Sequence, residues 1–152
     1  MAAQDVAIGD VLGTYALWLG LECDREIRVG RLGCFQFPAG TYGYVGSALG
    51  PGGIGARVAR HLRRRGSLHW HVDYLRSEAR PIGFWWAAGD KRRECAWAAA
   101  LAQLRGASLP VAGFGASDCR CSTHLIHLPA LPAVGDFARA VGESVTEVHF
   151  NA

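Results

Sequence analysis

Short runs of apolar residues alternate along the chain with glycine-rich and charged stretches, and most of these runs have the spacing of strands. Residues 13–22 (GTYALWLGLE) begin at a glycine and are rich in aliphatic and aromatic residues, which is typical of a buried strand. Apolar and polar residues alternate through 26–31, which predicts a second strand that pairs with the first through the polar turn at 23–25. Further strands are expected at residues 34–37, 41–46, 81–87 and 124–128.

A helix is predicted to begin at about Ile54, after a glycine-rich loop at 47–53. Because successive helical residues are about 100° apart, two ridges run along it. The apolar ridge consists of Ile54, Val58 and Leu62, and the adjoining basic ridge consists of Arg57, His61 and Arg64. A loop that leads into a helix N-terminus offers free backbone N–H groups, so Ser47 and Gly53 are candidates for binding an oxyanion beside the basic ridge.

The arginines of this helix fall into two groups. Arg57 lies one turn into the helix, beside the glycine-rich loop, and a guanidinium there suits a phosphate because it binds oxyanions in a bidentate fork. Arg64 continues the same ridge and is a further candidate for binding the substrate. The second group is interpreted as a solvated basic face and consists of Arg60, Arg63 and Arg65.

Three more helices are predicted, at residues 70–75, from an N-cap at Asp90 to about residue 104, and at 134–141, with a loose tail at 143–152. On the helix that follows Asp90, Glu94 shares a face with Trp97 and Leu101 and so points toward the buried side. A carboxylate there costs stability unless it is paired or binds a metal. The alternative is an edge position in the first turn, stabilised by the helix dipole and a nearby arginine.

Composition indicates a globular protein of about one domain, since 50% of the 152 residues are hydrophobic and 19% are charged. The net charge is only +3, but residues 55–72 contain five arginines, three histidines and no acidic residue. Such a patch favours a polyanionic partner. Neither a basic leader segment nor an apolar run of membrane-spanning length is present, so we expect a cytoplasmic protein without a membrane partner.

Five cysteines without an export signal predict reduced thiols. Cys119, Cys121 and His124 lie close together in sequence and are candidate ligands of a structural Zn²⁺. Because such a site needs four ligands, His69, His71 or His127 would have to complete it. The alternative is that reduced cysteines and an inward histidine simply pack there.

Five short elements occur in order along the chain: Gly13-Thr14-Tyr15, Tyr44-Val45-Gly46, Arg57, His69 and Glu94. In this the chain resembles the GIY-YIG nuclease superfamily. Over residues 12–128 it is similar to a little-characterised branch that occurs alone or fused to endonuclease III-type DNA glycosylases. The stretches that carry this similarity are VGRLG, FPAGTYGYVGSALGPGG, HWHVDYL and GFGASDCRC.

The resemblance implies an α/β (α+β) domain at 12–128, with a small central antiparallel sheet of about three main strands flanked by helices. Residues 1–11 would be an N-terminal extension, and 129–152 a C-terminal helix and tail. It also implies a metal-dependent endonuclease that hydrolyses phosphodiester bonds in DNA with Mg²⁺ or Mn²⁺, a role in DNA repair, and a DNA-repair glycosylase as partner.

Residue roles carry over in the same way. Tyr15 would help to activate the attacking water, and Tyr44 would support that water or the phosphate. Arg57 would hold the scissile phosphate and Glu94 would bind the metal. His69 matches the downstream histidine of the family by its spacing from the arginine, with His61 and His71 as rivals and as substrate-binding candidates.

The chain departs from the familiar nucleases in two ways, of which the first is a longer gap from Tyr15 to Tyr44, caused by an inserted hairpin-like stretch. The asparagine found near the end of the familiar domains is missing, because the only asparagine is Asn151. Either Ser117 or Asp118 takes over its contact with substrate, or the contact is lost. Two further functions therefore stay open: a nucleic-acid-binding accessory that kept the fold without turnover, and a zinc-stabilised interaction module.

Overall fold

The fold is α+β, with a five-stranded antiparallel sheet at its centre and a separate two-stranded hairpin. The computed structural model describes residues 8–63, 66–116, 119 and 121–150. The strands are β1 (Gly13–Leu21), β2 (Arg25–Val29), β3 (Gly33–Phe37), β4 (Gly40–Ala48), β5 (Arg80–Ala88), β6 (Leu125–Leu128) and β7 (Thr146–His149). The helices are α1 (Gly53–Leu62), α2 (His71–Arg76), α3 (Glu94–Leu101) and α4 (Val134–Val141). The order of strands in the main sheet is β6-β4-β1-β5-β7.

Strand β1 lies at the centre of the sheet and is buried on both of its faces. Tyr15 and Leu17 pack into the core on one side, with α1 and α2, while Trp18 packs on the other side with the rings of Trp85 and Phe137. This double burial explains the continuous apolar run of the segment, because a strand covered on both faces has no polar side. Gly43 is required opposite Trp18, since a Cβ there would lie 2.6 Å from the indole ring.

The predicted pairing of the first two strands is wrong. Both edges of β1 are occupied, one by β4 and the other by β5, so β2 has no free edge to pair with. It pairs instead with β3, as a hairpin outside the main sheet. The short strand expected at 34–37 is confirmed as part of this hairpin.

The C-terminal segment is not a loose tail. Residues Thr146–His149 form β7 and pair with β5, with Val148 opposite Phe84, and Phe150 is buried behind them. This segment is ordered because β5 has a free edge for it to pair with and because Val148 and Phe150 supply apolar side chains. The central sheet thus has five strands where about three were expected.

Helix α3 is shorter than predicted and has a different N-cap. Its first hydrogen bond runs from the Trp97 N–H to the Arg93 carbonyl, so Arg93 occupies the N-cap position and Asp90 lies before the helix. Its buried face contains Glu94, Trp97 and Leu101, as expected. The helix predicted at 134–141 is confirmed as α4. No helix in the described part of the chain is long and apolar enough to span a membrane.

Candidate active site

The two tyrosines of the motif lie side by side on one face of the sheet. Tyr15 on β1 is directly opposite Gly46 on β4, and Tyr44 is two residues before Gly46, so both rings project to the same side. A Cβ at position 46 would lie 2.5 Å from the Tyr15 hydroxyl oxygen. The glycine of the Tyr44-Val45-Gly46 element therefore leaves space for the ring of Tyr15.

His61 on α1 lies directly behind Tyr15. Its Nε2 is 2.7 Å from the Tyr15 hydroxyl oxygen, and both side chains are buried. Burial lowers the pKa of His61 to about 3, with a further contribution from the positive charge of Arg60. Burial also raises the pKa of Tyr15, although the Arg57 guanidinium opposes this shift. Both groups are therefore neutral at physiological pH.

Arg57 extends from α1 toward the same place. It is half-buried, and its guanidinium carbon lies 4.8 Å from the centre of the Trp70 ring. None of the ion pairs found among the described residues involves Arg57. Its charge acts on Tyr44, whose pKa burial raises to about 12 while Arg57 works in the opposite direction. Arg57 is thus a cation available to a ligand.

The amides of residues 53–55, at the start of α1, are not free to bind an oxyanion, contrary to the expectation from the sequence. The N–H of Gly53 bonds to the Gly50 carbonyl, and the N–H groups of Ile54 and Gly55 bond to carbonyls of Val11 and Gly9, at 2.8 Å each. The substrate-binding assignment of Gly53 is therefore wrong. A glycine is required there because its φ is +55° and a Cβ would collide with the backbone of the N-terminal segment.

Glu94 begins α3 and is buried at the edge of the sheet. One carboxylate oxygen accepts a hydrogen bond from the Ser47 hydroxyl on β4, and the other lies 3.0 Å from the Arg92 guanidinium. Burial alone would raise the pKa of Glu94, but these hydrogen bonds bring it below its usual value. The side chain is therefore an ionised carboxylate held in a defined position, with Ser47 positioning Glu94.

A cleft of about 480 Å³ brings the predicted catalytic residues together. We call it the central cleft, and its lining includes Tyr15, Tyr44, Ser47, Arg57, His69, Trp70, His71, Arg92, Glu94, Gly115, Cys119 and His124. His61 lies behind Tyr15 and borders a second cavity instead. Arg64, Arg65, Ser117, Asp118 and Asn151 lie outside the described residues.

His69 and His71, in the segment that follows α1, occupy different positions. His69 is exposed at the mouth of the cleft, whereas the Nδ1 of His71 accepts a hydrogen bond from the Gly115 N–H at 2.7 Å. Burial lowers the pKa of His71. His71 therefore anchors the 115 loop through one ring nitrogen and is not placed like His69.

The interpretation of Arg60 as a solvated residue is wrong. Its guanidinium donates to both carboxylate oxygens of Asp73, at 2.9 and 3.1 Å, and covers the Trp70 ring at 3.5 Å. Asp73 also accepts the backbone N–H groups of His69 and Trp70. This pair attaches α1 to α2 and so fixes the segment that carries His69.

A second group of chemically active side chains lies beside Glu94. It consists of Cys95, Cys119, Cys121 and His124, whose ligand atoms all lie within 4.8 Å of one another and could hold a metal ion. We call it the cysteine cluster. Cys95 was missed in the sequence because it is 26 residues from Cys121 and lies on a helix. The histidines proposed as fourth ligand are engaged or placed elsewhere, since His127 binds the Ala39 carbonyl and His71 binds Gly115.

The arrangement of these donors fits a tetrahedral cation. The Sγ atoms of Cys119 and Cys121 are each 3.3 Å from Nε2 of His124, and that of Cys95 is 3.6 Å away. Sulfur and nitrogen ligands around one tetrahedral Zn²⁺ would be about 3.6 Å apart. In this structure Cys95 and Cys121 are joined as a disulfide, contrary to the expectation of reduced thiols, so metal binding requires that bond to be reduced.

Comparison with known proteins gives one match. A family model described as a domain of unknown function, DUF123, matches residues 14–147. These residues include all or part of every strand of the main sheet and both groups of side chains described above. No curated protein and no solved structure matches the chain.

Proposed function

The chain belongs to the DUF123 family, a domain of unknown function, and we propose that it is a metal-dependent endonuclease that hydrolyses phosphodiester bonds in DNA. The observation that carries this proposal is the convergence of Tyr15, Tyr44, Arg57, His69 and Glu94 on the central cleft from five separate segments. The same residues underlie the resemblance to the GIY-YIG nucleases.

Arg57 is the residue proposed to hold the scissile phosphate. Its guanidinium has no carboxylate partner among the described ion pairs and is kept over the edge of the cleft by Trp70. A guanidinium can donate two parallel hydrogen bonds to a phosphate, and its charge offsets the negative charge that develops on the phosphoryl oxygens. Substitution by lysine would keep the charge but lose the fork.

Tyr15 and His61 are proposed to orient the attacking water. With both groups neutral, the Tyr15 hydroxyl donates to Nε2 of His61, and its oxygen is then able to accept a hydrogen bond from a water in the cleft. The raised pKa of Tyr15 makes its hydroxyl a poor base. Tyr15 therefore positions the water. The deprotonation of this water must be promoted by positive charge in the cleft.

Glu94 is the residue proposed to bind Mg²⁺ or Mn²⁺. It is ionised, held by Ser47, and its second oxygen faces the Arg92 side chain, which is 66% exposed and can be displaced by another cation. A single carboxylate with waters and substrate phosphate is a usual ligand set for Mg²⁺. When bound, such a cation lowers the pKa of a bound water and stabilises charge on the phosphate.

The surface next to the central cleft supports an extended polyanion as substrate. A second cavity, of about 640 Å³, shares His69 with the central cleft. Its wall carries the exposed arginines Arg63 and Arg80, which form no ion pair among the described residues. Backbone phosphates on either side of a scissile bond could therefore contact cationic groups in both cavities.

The test is cleavage of single- and double-stranded DNA by the purified protein with Mg²⁺ or Mn²⁺. Arg57→Ala and Glu94→Gln should each abolish cutting, whereas Arg139→Ala, an exposed arginine on α4, should leave it unchanged. Absence of products with either metal, together with salt-dependent binding of DNA, would instead support a non-catalytic binding protein. Cutting that survives both substitutions would exclude this site.

The metal of the cysteine cluster is proposed to be Zn²⁺, because three thiolates and one imidazole are a donor set typical of structural zinc. Metal analysis of untagged, reduced protein tests this, and less than one zinc per two chains would contradict it.

The nuclease proposal also includes a place and a partner. We propose that the protein acts on DNA in the cytoplasm, in DNA repair, and that its partner is a DNA-repair glycosylase. These parts rest on the resemblance alone.

A further inference from the structure

The cysteine cluster and the central cleft share a wall. Cys95 is the residue directly after Glu94 in the first turn of α3, and Cys119 and His124 line the cleft that Glu94 faces. The negative charge of Glu94 acts on the imidazole of His124, whose pKa burial lowers and Glu94 raises in part. A metal in the cluster would therefore lie close to the proposed catalytic carboxylate.

His124 connects the cluster to the strand that carries the other site residues. Its carbonyl accepts a hydrogen bond from the Val45 N–H at 3.0 Å, and its own N–H donates to the Phe114 carbonyl at 2.8 Å. Val45 lies between Tyr44 and Gly46 on β4. A metal bound to both Cys95 and His124 would thus join the first turn of α3 to the central part of β4.

Arg93 and Trp97 attach the start of α3 to Glu143, which follows α4, and not to β4. The guanidinium of Arg93 pairs with the Glu143 carboxylate at 2.9 Å and Nε1 of Trp97 donates to it at 2.8 Å, while residues 88–92 before the helix are exposed. The contacts of Glu94 itself are with Ser47 and with the largely exposed Arg92. Of these contacts, the one with the Ser47 hydroxyl connects this turn to β4, so a ligand at the neighbouring Cys95 adds a second connection that helps to fix the carboxylate.

We propose that the cysteine cluster binds Zn²⁺ as a positioning site for the proposed nuclease, clamping the first turn of α3 to β4 so that Glu94 faces Arg57 and Tyr44. This inference rests on the proposed function for its consequence in catalysis, but the clamp itself is a property of the fold. The Cys95–Cys121 disulfide makes a similar connection covalently. Reduced protein without metal is the state in which the connection is lost.

The experiment compares three states of the full chain: oxidised, reduced with a phosphine in the presence of chelator, and reduced with one equivalent of Zn²⁺. Hydrogen exchange of the amides in residues 94–98 is followed in each. We expect exchange in the reduced, zinc-free state to be faster than in the zinc-bound state by roughly tenfold or more, because local opening of α3 is easier without the clamp. Residues 15–19 on the central strand serve as an internal reference.

Substitutions test the same point. Cys95→Ser should lower zinc stoichiometry and raise exchange at α3 under reducing conditions, whereas Cys34→Ser, an exposed cysteine outside the cluster, should change neither. Exchange at residues 94–98 that is equal with and without zinc would overturn the proposal, whether or not the protein cuts DNA. Conversely, zinc-dependent protection in a protein without nuclease activity would support the clamp and contradict the proposed function.

If cleavage is observed, a second readout follows. Loss of zinc should lower kcat and the affinity for Mn²⁺ together, since both depend on Glu94, while leaving DNA affinity within about twofold. Cys95→His, which restores a metal ligand, should recover part of both quantities. A uniform loss of DNA binding would show that the cluster only stabilises the fold, and would contradict the positioning role.

Discussion

The hydroxyl oxygen of Tyr15 lies 2.7 Å from Nε2 of His61, both side chains are buried, and Tyr15 lines the central cleft. Burial disfavours the charged form of each group, so the resting pair is a neutral phenol and a neutral imidazole. This hydrogen bond also explains why the side chain of His61 points into the core, although His61 belongs to the basic ridge of α1. It makes Tyr15 an oriented hydroxyl in the wall of the cleft.

Removal of the Tyr15 hydroxyl should reduce catalysis more than binding. Tyr15→Phe keeps the ring stacked on Phe84, 4.7 Å away, but removes the contact to water and leaves Nε2 of His61 unpaired. We expect kcat to fall by roughly 10²-fold with KM nearly unchanged. The buried imidazole without a partner should cost about 1–3 kcal/mol of unfolding free energy.

Steady-state cleavage and urea unfolding measure these two effects. Tyr42→Phe is the matched control, because Tyr42 is buried on the same strand as Tyr44 but donates its hydrogen to the Pro38 carbonyl, away from the cleft. An equal loss of kcat in both variants would indicate a general effect on the sheet and would contradict a role for the Tyr15 hydroxyl.

His61 should make the fold sensitive to mild acid. Its pKa is lowered to about 3 in the folded state, chiefly by burial, while the unfolded chain binds a proton near the ordinary value of about 6.5. Between these two values the unfolded state binds more protons, so stability is full above the unfolded pKa and falls as pH decreases through this window. His61 contributes at most about 1.4 kcal/mol of unfolding free energy per pH unit to this slope.

Urea unfolding of wild type and His61→Gln between about pH 6 and pH 4.5 measures this slope. The glutamine variant should lose stability less steeply with falling pH. His71 and His124, whose pKa values are also lowered by burial, act in the same direction and should leave a residual slope. His149→Gln, at an exposed position, is the control, and identical slopes for wild type and His61→Gln would show that His61 is protonated in the folded protein.

Most of the main sheet was predictable because β1, β4 and β5 are buried strands with continuous apolar runs. The pairing of β2 was not predictable from its alternation, since the pattern shows which face is buried but not which neighbouring edge is free. Strand β7 has the sequence TEVH, which carries little apolar signal, and it is ordered by the free edge of β5. Pairing partners are a tertiary property that local patterns do not contain.

The candidate site was predictable to a similar degree. Spacing along α1 placed His61 beside the buried ridge, but its contact with Tyr15, 46 residues away, depends on how α1 packs on the sheet. Cys95 carried no local signal, because its partners lie on a distant loop. The role of Gly53 was mispredicted because its amide is bonded within the loop, to the Gly50 carbonyl. The next two amides, of Ile54 and Gly55, bond to carbonyls of Val11 and Gly9, which come from a segment with no recognisable pattern.

Gly46 should be essential for the site and not merely for the strand. In Gly46→Ala the added Cβ would lie 2.5 Å from the Tyr15 hydroxyl oxygen and 2.6 Å from the ring carbon that carries it, so the ring must move away from His61. Overpacking of this kind costs about 1–3 kcal/mol. We expect loss of stability together with at least the loss of activity seen in Tyr15→Phe.

Thermal unfolding, cleavage rates and a structure of the variant test this prediction. Gly135→Ala is the control, because Gly135 is exposed in α4, its nearest neighbour is 3.8 Å away, and alanine is favoured in helices. That variant should be as stable as wild type or slightly more so. A Gly46→Ala protein with unchanged stability would mean that the strands can separate locally to accommodate the methyl group.

Asp73 should stabilise the segment of His69 and Trp70 through its negative charge. Burial alone would raise the pKa of Asp73, but hydrogen bonds from Arg60 and from the backbone of Trp70 and His69 bring it below its usual value. Asp73→Asn replaces a bidentate ion pair by at most one neutral hydrogen bond, which should cost about 2 kcal/mol at neutral pH. DNA cleavage should also weaken, because His69 and Trp70 line the central cleft.

The pH dependence of the stability difference between wild type and Asp73→Asn shows whether charge causes that difference. A carboxylate whose folded pKa is lowered stabilises the protein above its unfolded pKa, near 4, and this contribution disappears as pH falls through the folded value. The difference between wild type and Asp73→Asn should therefore shrink between about pH 5 and pH 3. Asp136→Asn, which breaks the exposed pair with Arg139, should cost less than about 1 kcal/mol. A difference for Asp73→Asn that persists unchanged at pH 3 would assign the effect to packing of the amide and not to charge.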